Sequence, residues 1–164
     1  MYILDFLPSP SPFLDDLFSD LDSLEIDVRH FELDHICYRV ASDARYLELR
    51  ELLIPIGNLI SQKEVNSRPI LVLQLDQPII YQNRTIDVLE LPAPKAGSPY
   101  IEGWEHVEFV INSDLNSFQY SFPNIQWDTK GLNKPINPDI RLRLGEKSVK
   151  FHENPLDYVI KHLD

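Results

Sequence analysis

Five histidines, His30, His35, His106, His152 and His162, are the side chains whose charge changes near neutral pH and whose neutral rings ligate metals. Their placement is not random. His35 lies in Asp34-His35-Ile36-Cys37-Tyr38-Arg39, and His106 in Glu105-His106-Val107-Glu108-Phe109-Val110. Both segments read acid, histidine, β-branched residue, then an aromatic two positions on, and the histidines are 71 positions apart. His152 sits in SVKFHE (148–153), and Glu90 takes the nearest equivalent place in TIDVLELP (85–92). Imidazole and carboxylate donors brought to one point suit a divalent ion: Zn, Fe, Ni, Co or Mn.

A lone strand histidine is more often a hydrogen-bonded core or surface residue, so the neighbours decide. In a strand, alternate residues share a face. His35, Cys37 and Arg39 then share one face, as do His106 with Glu108, and Lys150 with His152. Ile36, Tyr38, Val107 and Phe109 form apolar faces opposite. A polar concave face backed by an apolar convex one is what a cup-shaped site requires. His30 and His162 fall outside this pattern and read as surface residues.

The elements that must position these residues follow from pattern. Ser11, Pro12 and the stripe Phe13, Leu14, Leu17, Phe18, Leu21, Leu24 predict an amphipathic N-terminal helix, docked on the rest rather than free for a partner. Strands are expected at 32–40, 59–63, 69–76 and 85–92, with a helix capped by Ser42 and stopped by Pro55 and Gly57. After the linker PAPKAGSP (92–99) the order repeats. A strand is expected at 105–110, a helix ending at Pro123, and strands near 125–129, 139–145 and 148–153. NSRPILVLQL resembles NPDIRLRL, and IDVLELP resembles VKFHENP, so four matches in one order point to an internal duplication. A C-terminal helix opens at Asn154 and Pro155. The fold class is α+β, with residues 1–30 as a helical appendage. Residues 31–164 form a domain of two paired βαβββ halves (31–92 and 100–153) in a half-open cup.

Composition narrows the function. The chain has 164 residues, 43% hydrophobic and 25% charged, as a globular domain should. Its net charge of −11 repels phosphate backbones and anionic lipid, which argues against nucleic acid and membranes as partners. No apolar run approaches the roughly 20 residues of a membrane helix. MYILDFLPSPSP lacks the basic start of a signal peptide, and the single Cys37 cannot form an internal disulfide. A cytoplasmic monomer is expected, since one chain holds both halves of the site. Cys37, lacking a base, reads as packing.

DHICYRV, EGWEHVEFV, IDVLELP and VKFHENPL resemble the YecM-like family of bacterial proteins, over roughly residues 32–160. That family is related to the vicinal oxygen chelate superfamily of glyoxalase I, extradiol dioxygenases and bleomycin-resistance proteins. The resemblance implies metal ligands on the first and last strands of each half, namely His35, Glu90, His106 and His152. A glyoxalase-like site has glutamate at the fourth position. Here His152 is chosen over Glu153 because it shares its face with Lys150.

The function expected is a metal-dependent enzyme, an isomerase, lyase or oxidoreductase (oxygenase), acting on a small oxygen-rich, anionic substrate. Glu108 is the catalytic candidate, either as general base or as a carboxylate orienting a ligand. Arg39, Arg141, Arg143 and Lys150 are candidates to bind the substrate. Arg141 and Arg143 share a face, so both point inward or neither does. The alternative function is a non-catalytic module that sequesters a small molecule, as bleomycin-resistance proteins do.

Overall fold

The computed structural model describes residues 1–162. It divides into two compact units, one of residues 1–10 and 35–105, the other of residues 11–34 and 106–162. No helix among the described residues is long and apolar enough to cross a membrane.

The first unit follows the order β-α-β-β-β. Its elements are β1 (Glu32–Arg39), α2 (Asp43–Leu53), β2 (Gly57–Val65), β3 (Arg68–Tyr81) and β4 (Arg84–Pro92). The first three residues of β1 count with the second unit. The strand order is β2-β3-β4-β1, antiparallel except for β1 beside β4. Ser42 caps α2 as its sequence predicts, its hydroxyl accepting from the Arg45 N–H at 3.2 Å. One sheet face carries Ile36, Leu71, Leu73, Leu89 and Leu91, all fully buried, as are Leu49 and Leu53 of α2. Strand β3 runs five residues past the expected end at 76. It does so through an irregularity between Gln74 and Ile79 that contains Pro78, which has no N–H to give a regular ladder.

The second unit contains α1 (Ser11–Ser23), β5 (Gly103–Val110, whose first three residues belong to the first unit), α3 (Leu115–Tyr120), β6 (Asp139–Leu144), β7 (Lys147–His152) and α4 (Leu156–His162). Its strand order is β5-β7-β6. The strand expected near 125–129 shrinks to one bridge. Asp128 N–H donates to Arg141 O at 2.8 Å, and Arg141 N–H donates to Asp128 O at 3.0 Å. Trp127 instead anchors that segment by side-chain contact, its ring 5.8 Å from both Phe118 and Phe151.

Helix α1 is part of this second unit. Leu14, Leu17 and Leu21 have no exposure, and Phe18 meets Phe109 edge-on at 6.1 Å. Lys147 of β7 pairs with Asp16 and Asp20 of the helix. Truncating Leu17 to Ala should therefore cost about 2–5 kcal/mol, whereas Leu24→Ala, at a position 37% exposed, should cost under about 1 kcal/mol. Urea unfolding of both variants tests this. A Leu17→Ala loss as small as that of Leu24→Ala would remove α1 from the core.

Candidate functional site

In the second unit three strands run in register, so residues line up in rows. His106, Ser148 and Arg143 form one row, and Glu108, Lys150 and Arg141 the next along the same face. His152 and Asp139 follow on that face. The opposite face holds Val107, Phe109, Val149, Phe151, Ile140 and Leu142, all buried, with Phe118 of α3 against Phe151 at 4.7 Å. The strand alternation read from sequence is thus realised, and Arg141 and Arg143 both lie on the polar side.

Glu108 is the hub of that side. At 8% exposure its carboxylate takes Lys150 Nζ on Oε1 at 2.6 Å, with His106 Nε2 3.3 Å from the same oxygen. Its Oε2 lies 3.2 Å from His152 Nε2. His152 Nε2 also lies 3.4 Å from Asp34 Oδ2. Asp34 in turn accepts the first N–H of α4, from Leu156, at 3.0 Å. Burial opposes a charge on His152. The hydrogen bonds to Asp34 and Glu108 and their negative charges outweigh it, and push its pKa up to about 9. The shift favours the charged ring, which lies between the Asp34 and Glu108 carboxylates.

The first unit carries a simpler pair. His35, 1% exposed, has Nε2 3.8 Å from Glu90 Oε2, and β1 runs beside β4 with Cys37 opposite Glu90. Arg39, on the same face of β1, stacks its guanidinium 3.3 Å from the Tyr100 ring centroid and reaches Glu105 Oε1 at 3.4 Å. Tyr38, on the other face, donates to Glu102 Oε1 at 3.0 Å. Cys37 is buried, as expected of a packing residue.

His35 and Glu90 are thus neighbours, as are His106, Glu108, Lys150 and His152. Arg143 is 63% exposed and tied to Asp128 at 3.1 Å. Asp34 and Ser148 escaped the sequence reading. Asp34 was visible as the acid before His35, and Ser148 as the residue two before Lys150 on the same face.

A family model described as YecM protein matches residues 7–162. The chain belongs to the YecM family. It is 27% identical to Protein YecM of Escherichia coli K12 over 152 residues, covering 84% of this chain and 81% of that one. An uncharacterized protein of Haemophilus influenzae is 32% identical over 141 residues, covering 77% and 74%. A structural-genomics structure, Protein EC4020, matches with a TM-score of 0.83 at 26% identity, covering 98% of this chain and 93% of that chain. A variant of Streptomyces coelicolor methylmalonyl-CoA epimerase, in complex with 2-nitronate-propionyl-CoA, matches with a TM-score of 0.53 at 10% identity, covering 75% and 96%. The likeness of this YecM-family chain to the epimerase structure is one of fold.

The charged state of His152 has a signature. Its pKa is 6.5 unperturbed and about 9 when folded, so the stability its charge confers is complete below about pH 6.5 and lost as pH rises through about 9. Urea unfolding of the metal-free protein should show that decline, and Asp34→Asn should flatten it. Parallel pH profiles for the two proteins would mean His152 carries no such charge.

Proposed function

We propose that this YecM-family chain binds one divalent first-row metal ion and is an enzyme acting on a small oxygen-rich substrate. The ligands in this reading are His35, Glu90 and His106. The observation that carries it is a buried histidine facing a carboxylate in each half of the duplication, His35 with Glu90 at 3.8 Å and His106 with Glu108 at 3.3 Å. Two imidazoles and one carboxylate are a donor set that first-row metals accept, leaving positions for water or substrate. His152, the fourth ligand expected from the repeat, is placed outside the set in this reading because its Nε2 faces the Asp34 and Glu108 carboxylates.

When bound, the metal supplies Lewis acidity to a substrate oxygen. The chain's own groups do the rest. Glu108 is the proton acceptor, its Oε1 facing Lys150 and its Oε2 facing His152. Lys150 and His152, one on each oxygen, fix the orientation of that carboxylate. Asp34 holds His152 from behind.

Calorimetric titration with Zn, Ni, Mn and Fe(II) tests the reading. The wild type should bind one ion with Kd below about 100 µM, an affinity that falls below roughly pH 6.5 as imidazoles protonate. His35→Ala and His106→Ala should abolish binding, while His152→Gln should keep it within about threefold, or 0.7 kcal/mol. If no ion binds that well, or His106→Ala binds like wild type, the enzyme reading falls and a small-molecule sequestering module replaces it.

A further inference from the structure

The polar face of the second unit carries several cations, and all but one have a carboxylate. Lys150 is on Glu108 at 2.6 Å and Arg143 on Asp128 at 3.1 Å. Lys134 is paired with Asp139, and His152 lies between Asp34 and Glu108. Arg141 is the exception. Its backbone is tied to Asp128, and its side chain is partly buried beside Lys150. Its guanidinium has no ion-pair or hydrogen-bond partner among the described residues.

A second, independent observation falls on the same face. Ser148 is 3% exposed, and its Oγ has no hydrogen-bond partner among the described residues. It stands in register between His106 and Arg143, and two residues before Lys150. A buried hydroxyl left unsatisfied is costly, and a guanidinium without an anion wastes a planar donor fork.

We infer that Ser148 and Arg141 form a subsite for the carboxylate of a small molecule. Calling that molecule the substrate rests on the proposed enzyme, but the subsite itself needs no metal. Ser148 O–H donates to one carboxylate oxygen, and the Arg141 fork donates to the carboxylate along its edge. Lys150 remains on Glu108 and screens the incoming anion from that carboxylate. Charge selects the group. Arg141 is the one cation of the face left uncompensated, and Glu108, Asp34 and Asp139 lie on the same side. One negative charge is balanced there, whereas a phosphate dianion leaves a surplus.

The test uses the full chain stripped of metal, at constant ionic strength, titrated with propionate, the neutral isostere propionamide, and inorganic phosphate. Propionate should bind at least about tenfold more tightly than propionamide, and more tightly than phosphate. Arg141→Gln should weaken propionate at least about tenfold and Ser148→Ala about threefold to tenfold. Arg141→Lys keeps the charge and loses the fork, so it should fall between wild type and Arg141→Gln. It also gives the answer if Arg141→Gln does not fold. Propionate binding no tighter than propionamide, phosphate binding as tight as propionate, or an Arg141→Lys or Arg141→Gln affinity equal to wild type overturns the inference. Propionate binding in a protein that takes no metal keeps the subsite and removes the enzyme. Metal binding without discrimination of propionate from propionamide does the reverse.

Discussion

A carboxylate as buried as that of Glu108 stays ionised only if charges are brought to it. Lys150 comes from the register partner of Glu108 on β7 and His152 from two residues beyond Lys150, while the His106 ring approaches from two residues earlier on the same strand as Glu108. Because side chains alternate along a strand, placing these groups on one side assigns the side of every other residue in β5, β6 and β7. The aromatic and aliphatic residues are thereby collected on the other side, where α1 and α3 bury them. The polarity of one face thus determines where the helices of this unit dock. The first unit meets the same demand more sparingly, with one histidine and one carboxylate among Cys37, Val72 and Val88.

Much of this is legible in the sequence alone. Strand alternation separates Glu108 and His106 from Phe109 and Val107, and the spacing of Leu14, Leu17 and Leu21 marks the buried stripe of α1. The equivalence of His35 and His106 needs only two segments compared. What pattern could not show depends on partners distant in sequence. His152 gives no sign in the sequence that Asp34, from β1, lies beside its Nε2. Arg39 likewise gives no sign of the Tyr100 ring and the Glu105 carboxylate that lie against it. Strand β3 outruns its expected end at 76, absorbing Pro78 at an irregularity and continuing to Tyr81.

The fold carries little information about chemistry by itself. A TM-score of 0.53 at 10% identity relates this chain to methylmalonyl-CoA epimerase in architecture alone. What distinguishes the second unit is its distribution of charge: an acid on β1 and another on β5, a lysine and a histidine on β7, and an arginine on β6.

The two halves also differ in how their outer segments are held. In the first unit β2 lies along β3 with paired residues from Gly57 to Val65, and such a ladder frays one rung at a time from its end. In the second unit the corresponding segment has one bridge, Asp128 with Arg141, and the Trp127 ring seated against Phe118, Phe122 and Phe151. A ring wedged among rings leaves as a whole or stays. The first half is held like a zipper and the second like a latch, with the Trp127 ring and the Asp128 bridge beside it as its catch.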